Sequence, residues 1–128
     1  VFQPVVGPFY KGLTVSIPLH LSQLPPGTTP AALHEALARR YEGERFVQVM
    51  PLNDADVLSD GYFDVQAAND TNRVDLFVFA SDTQALLMAR LDNLGKGASG
   101  AAVQSMNLHL GVEEDRGLTV GETVGSRA

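Results

Sequence analysis

Residues 13–21, LTVSIPLHL, alternate with period two: Leu13, Val15, Ile17, Leu19 and Leu21 fall on one side, and Thr14, Ser16, Pro18 and His20 on the other. Successive side chains of an extended chain point to opposite faces, so this run reads as a strand with one buried side. Such a strand needs neighbours to pair with and a second layer over its apolar side. The chain must therefore build a packed sheet. Pro18 has no amide to donate, which puts it at an edge or a bulge.

Partners for that strand can be read along the chain. Phe2–Val6 is expected to be a short edge strand, because Pro4 interrupts its donors, and GPFYKG (7–12) a loop. Thr29 can cap a helix with Pro30 at its first position. Leu33, Ala36, Leu37 and Tyr41 give that helix an apolar face, Glu35 and Arg39 an i,i+4 pair, and Gly43 a stop. This helix is expected to cover the apolar side of the 13–21 strand. Phe46–Met50 reads as a strand and 51–61 as a loop. Phe63–Ala68 and Val74–Ala80 read as a strand pair around the polar turn NDTN. Phe77 and Phe79 make the second strand apolar on both faces near its end, as suits a central position. Residues 84–91, QALLMARL, are ambiguous: composition favours a helix, whereas the short SDT link favours a hairpin return. Residues 95–110 read as a helix with a stripe of Ala102, Val103, Met106 and Leu110, stopped by Gly111. Residues 112–128 have no periodicity and are expected to fray.

Bulk properties bound the chemistry. The 128 residues suit one domain, with 45% apolar and 19% charged side chains. A net charge of −6 and a pI near 4.8 argue against nucleic acid or an anionic membrane as partner. With no cysteine the chain can form no disulfide, thiolate metal site or cysteine nucleophile. No apolar run approaches the ~20 residues of a membrane span, no signal peptide is visible, and a cytoplasmic location is expected. Val1 is not an initiator methionine and a strand-like run begins at once, so the chain is expected to be a piece of a longer one.

Few motifs carry chemistry. GKGASG has dinucleotide-fingerprint spacing at Gly95, Gly97 and Gly100, but not the following strand and acidic residue of a βαβ unit. The plainer reading is a glycine-permissive turn entering a helix, with close packing at Gly100. His20, His34 and His109 have no metal-ligand spacing, and NDADVLSD and EED lack the pattern of a calcium loop; no metal is expected. Lys11, on a Gly/Pro-rich loop, is either a surface charge or a contact for an anionic substrate.

Two stretches together resemble one family. LDNLGKGASGAAVQSMNLHLG (91–111) is similar to the C-terminal signature D-N-L-x-K-G-A-x-G-x-A-V-Q-N-x-N of N-acetyl-gamma-glutamyl-phosphate reductases. Asn93, Lys96, Gly97, Ala98, Gly100, Ala102, Val103, Gln104 and Asn107 agree. VFQPVVGPFYKGL (1–13) resembles that family's F-x-P-H-L-x-P-M-x-R-G at Phe2, Pro4, Pro8 and Gly12, with Val5 in place of His and Lys11 in place of Arg. The exchange of Arg for Lys keeps the charge and loses the bidentate fork.

The resemblance implies an α+β fold like the C-terminal domain of glyceraldehyde-3-phosphate dehydrogenase: a mixed, mainly antiparallel sheet with helices on one face. It implies strand at 84–91. It divides the chain into a substrate-binding and dimerisation domain at 1–91, incomplete at its start, a returning helix at 92–111 that packs on a Rossmann domain absent here, and a tail at 112–128. The implied reaction uses NADPH to reduce an acyl phosphate to N-acetylglutamate semialdehyde in arginine biosynthesis, through a cysteine and a histidine outside this sequence. Asn93, Leu94 and Gly97 are then the expected cofactor contacts and Lys11 a substrate contact, with no catalytic residue and no activity in the isolated chain. Expected partners are the chain's own nucleotide-binding domain and further copies, as a homodimer or homotetramer contacting through the sheet face that carries Thr14, Ser16, His20, Phe77 and Phe79. An aspartate-semialdehyde dehydrogenase relative and a non-catalytic binding or oligomerisation module of the same fold are the alternatives.

Overall fold

The structure, a computed structural model, describes residues 2–121. A four-stranded sheet has the order β1 (Leu13–His20), β4 (Gln84–Leu91), β3 (Val74–Ala80), β2 (Val47–Val49). β1 and β3 both run antiparallel to β4, and β2 runs parallel to β3. The sheet is thus mixed and mainly antiparallel, as expected. Residues 84–91 form a strand, as the resemblance implies. Their helical propensity is overridden because β4 is the second strand from one edge and pairs over 84–91 with β1 and over 85–91 with β3.

β1, β2 and β3 point the same way, so two connections are parallel crossovers. The first runs from β1 through α1 (Pro30–Arg40) across the sheet to β2; the second runs from β2 through residues 50–73 back by one strand to β3. Right-handed crossovers that move in opposite directions pass over opposite faces. Phe63 marks the face of the second: its ring lies edge-on to Phe77, with centroids 5.1 Å apart. α1 therefore packs on the other face, against β3 and β2. It starts as the sequence indicates, with the Ala32 N–H donating to Thr29 Oγ1 at 3.1 Å and Pro30 in its first turn. Gly43 follows its end with φ +79°.

That placement corrects the expected cover of β1. Strands lie ~4.8 Å apart, and a helix is about 10 Å wide. A helix centred over β3 and β2 does not reach a strand two places from β3. Leu13, Val15 and Ile17 are accordingly 40%, 48% and 51% exposed. The opposite face is also not as expected. Phe77 is 1% exposed, stacked parallel to Phe79 at 5.9 Å and covered by Phe63, so it belongs to the core, whereas Ser16 and His20 of that face are exposed.

Other expectations fail locally. Residues 2–10 form no strand and leave Phe2, Val5, Val6 and Tyr10 exposed; Val1 lies outside the described residues. Residues 65–70 are turns and not a hairpin arm, so β3 pairs with β4 and β2 instead of with Phe63–Ala68. Short pairing occurs earlier, at Leu58–Ser59 with Tyr62–Phe63. The final helix begins with a wider π-type turn at Gly95–Ser99 before α2 (Gly100–Leu110), and Gly111 ends it at φ +67°. Its buried residues are Gly100 and Asn107, whereas Met106 and Leu110 of the expected stripe are more than half exposed. Residues 112–119 do not fray: Asn107 Nδ2 donates to the carbonyls of Glu114 at 3.0 Å and Arg116 at 2.9 Å, and the Asn72 N–H donates to Thr119 O at 2.7 Å. The rest of that expectation, for 122–128, lies outside the described residues.

Candidate functional site

The turn that leads from β4 into the final helix is built around Asp92. This carboxylate is 1% exposed. Its Oδ1 accepts from the N–H groups of Leu94 at 2.9 Å and Gly95 at 3.0 Å, which folds the chain back at once. Oδ2 accepts from the Asp70 N–H at 2.8 Å and lies 2.9 Å from Lys11 Nζ. Burial alone raises a carboxyl pKa. Here the Lys11 ammonium and the N–H groups of Asp70, Gly95 and Leu94 favour the charged form more strongly, and Asp92 is lowered to about 2. Lys11 is raised to about 12 by its hydrogen bonds, first to Asp70 and then to Asp92.

Asn93 and Leu94 project from this turn, both exposed, with Gly97 exposed one turn on. Asn93 Oδ1 accepts the Gly12 N–H at 2.7 Å. That bond fixes which way the amide faces and leaves Nδ2, a donor, on an exposed side chain. The cofactor contacts expected from the sequence are thus brought together on one surface. Lys11 sits beside them, with its ammonium held between Asp70, at 2.6 Å, and Asp92.

Glycine is required behind this surface for packing. A Cβ on Gly100 would overlap Asn72 Oδ1 and come within 2.9 Å of the Gly95 carbonyl; one on Gly95 would lie 2.9 Å from the Thr71 carbonyl. The fingerprint-like spacing is therefore a close approach of helix and turn, which is the plainer of the two sequence readings. Beneath it runs a polar chain. Lys96 Nζ donates to Gln104 Oε1 at 2.5 Å, Gln104 Nε2 to Glu114 Oε1 at 2.6 Å, and Asn72 Nδ2 to Gln104 Oε1 at 3.0 Å. Lys96 also lies over the Phe46 ring, 5.5 Å from its centroid. Burial lowers its pKa, against the opposing charge of Glu114. A cleft of about 280 Å³ opens beside the turn, lined by Lys11, Asp70, Asn72, Asp92 and Leu94 among others.

Sequence reasoning missed Asp92, Asn72 and Asn69 as parts of this site. Asp92 stands in the D-N-L signature and could have been found there. Asn69 and Asn72 were hidden because NDTN reads as an exposed hairpin turn. His20 and His109 are exposed and away from the turn, and His34 Nε2 lies 2.9 Å from the Met50 carbonyl, a structural bond. Among the described residues no helix is long and apolar enough to cross a membrane.

Comparison with known proteins agrees with this architecture. N-acetyl-gamma-glutamyl-phosphate reductase 2 of Nostoc sp. is 52% identical over 121 residues, covering 92% of this chain and 38% of that protein. The N-acetyl-gamma-glutamyl-phosphate reductase of Burkholderia ambifaria is 46% identical over 114 residues, covering 88% and 36%, and that of Rhizobium etli 44% over 110 residues, covering 86% and 36%. The chain thus spans little more than a third of the length of the curated relatives it matches. A family model described as "Semialdehyde dehydrogenase, dimerisation domain" matches residues 1–93, the segment that holds the whole four-stranded sheet and Asp92 itself, and the chain belongs to that family.

Proposed function

We propose that this chain is the dimerisation-domain portion of an N-acetyl-gamma-glutamyl-phosphate reductase, which reduces the acyl phosphate to N-acetyl-L-glutamate 5-semialdehyde in the cytoplasm with NADPH. The observation that carries the reading is 44–52% identity, over most of the chain, to proteins that all bear this one name. The turn fits the cofactor's nicotinamide end: an oriented amide donor at Asn93, an aliphatic face at Leu94, and no side chain at Gly97 to obstruct approach. NADPH, when bound, supplies the hydride. Asn93, through its Nδ2 donor, and Leu94 would be the chain's own contacts to that cofactor. It has no cysteine to form an acyl-enzyme, so the chemical step needs residues from the nucleotide-binding part, and the chain by itself is inactive.

Self-association is the second element of this reading. The matched family is described as a dimerisation domain over residues 1–93. Within that span the apolar side of β1 is a regular strand surface left open, with Leu13, Val15 and Ile17 40–51% exposed. We place the contact with a second copy there, giving a homodimer that can double to a tetramer.

In the full-length enzyme, Asn93→Ala is expected to lower kcat/KM for NADPH on the order of 100-fold, because a misplacement of about an ångström is sufficient for that. Wild-type kinetics would return Asn93 to a purely structural role. NADPH oxidation by the isolated chain above background would refute the assignment of chemistry to the other part.

A further inference from the structure

Three segments distant in sequence meet at Asp92. Residues 92–95 and the turn at Asp70 meet through its carboxylate, as described, and Lys11 brings in the third. The attachment of that third segment is double. Lys11 Nζ reaches Asp92 and Asp70, while the next residue, Gly12, gives its N–H to Asn93 Oδ1. Asn69 Nδ2 holds the same stretch from the other side by donating to Lys11 O at 3.0 Å. Gly12 passes with φ +121°, and a Cβ there would lie 2.8 Å from the Val65 carbonyl, so only glycine fits. The charge balance matters as well. One ammonium faces two carboxylates, which leaves the cluster with one net negative charge and two of the three Nζ donors engaged. Such a cluster does not attract an anionic acyl phosphate.

We propose that Lys11 is a positioning residue for the cofactor-facing turn: by holding Asp92, and through Gly12 the amide of Asn93, it sets the direction in which Asn93 presents its donor. This rests on the reading of Asn93 as a cofactor contact. Loss of the ammonium would leave Asp92 buried with only backbone donors, and the turn would relax to hydrate it.

The test uses the full-length enzyme with NADPH and acyl phosphate varied separately. Lys11→Met is expected to raise KM for NADPH about tenfold and leave KM for the acyl phosphate within about twofold. Adding Asp92→Asn should recover most of the loss, since it removes the stranded buried charge; a role confined to overall stability would give no such split and no such recovery. A rise confined to the acyl phosphate KM would overturn the proposal and make Lys11 a substrate contact. Equal effects on both substrates, or no recovery, would also overturn it. Asn93→Ala is run in parallel. If it raises the NADPH KM while Lys11→Met does not, only this proposal fails; if it leaves the NADPH KM unchanged, the reading of Asn93 fails and the proposal with it. Should Lys11→Met not fold, Lys11→Gln with Asp92→Asn keeps a neutral hydrogen-bonding pair: an NADPH KM within about twofold of wild type is expected there, and a rise of about tenfold in that variant would overturn the proposal.

Discussion

The two faces of the sheet invert the usual relation between hydropathy and burial. On the face crossed by residues 50–73, Asp75 is 1% exposed and Arg90 5%. Asp75 Oδ1 accepts from Arg73 Nε at 2.6 Å and Oδ2 from Arg90 Nη2 at 2.9 Å. The Arg90 guanidinium lies over the rings of Phe63 and Phe77, about 5 Å from each centroid, and its Nη1 donates to Asp64 O at 2.9 Å. On the other face, at β1, the aliphatic Leu13, Val15 and Ile17 stay 40–51% exposed. Charges can be buried where geometry pairs each of them, whereas aliphatic groups stay in water when no layer is within reach. The charged network is complete within one copy; the aliphatic side of β1 calls for a second surface.

The strongest way to break this contrast is Asp75→Ala. It leaves two guanidinium groups, Arg73 and Arg90, without their shared carboxylate, and the loss of one partner from a buried ionic network costs roughly 3–5 kcal/mol. Chemical denaturation measures it. A loss below about 1 kcal/mol would mean that the charged face is far more hydrated than its burial indicates.

A smaller effect sharpens the picture at the helix entrance, where Asp92 is buried with Lys11. The Asp92 carboxyl falls from 3.8 to about 2 in the folded state, so the unfolded chain takes up the proton at higher pH. Its contribution is therefore present above pH 3.8 and is lost as pH falls through about 2. The shift corresponds to about 2 kcal/mol. Denaturation midpoints of wild type and Asp92→Asn, followed from pH 5 to 2, should converge as the pH drops. A constant gap across that window would show that the carboxylate charge is not what the turn depends on. Lys11 has the opposite sign: its contribution is complete below pH 10.5 and fades as pH rises through about 12.

The smallest effect on the fold is expected on the aliphatic face. Ile17→Ser, half exposed in one copy, should change the stability of that copy by about 0.5 kcal/mol or less, yet weaken self-association measurably in sedimentation equilibrium. Unchanged association at tens of micromolar protein would take β1 out of the subunit contact.

The sequence by itself determined the local features whose cause is local. The period-two run at 13–20, the Thr29–Pro30 helix start and the glycine stops at 43 and 111 all follow from side-chain periodicity, capping and φ preferences. The Asn93 turn was legible through its resemblance to a family signature. Tertiary structure decided what depends on distant neighbours. Residues 84–91 are a strand because β1 and β3 flank them. NDTN is part of the site because the crossover through residues 50–73 carries it back to Lys11 and Asp92. The apolar side of β1 stays open because α1 lies over β3 and β2. Periodicity states which residues need covering. Which layer arrives to cover them is set by the direction of the crossovers, a property of the whole chain that no short window of sequence contains.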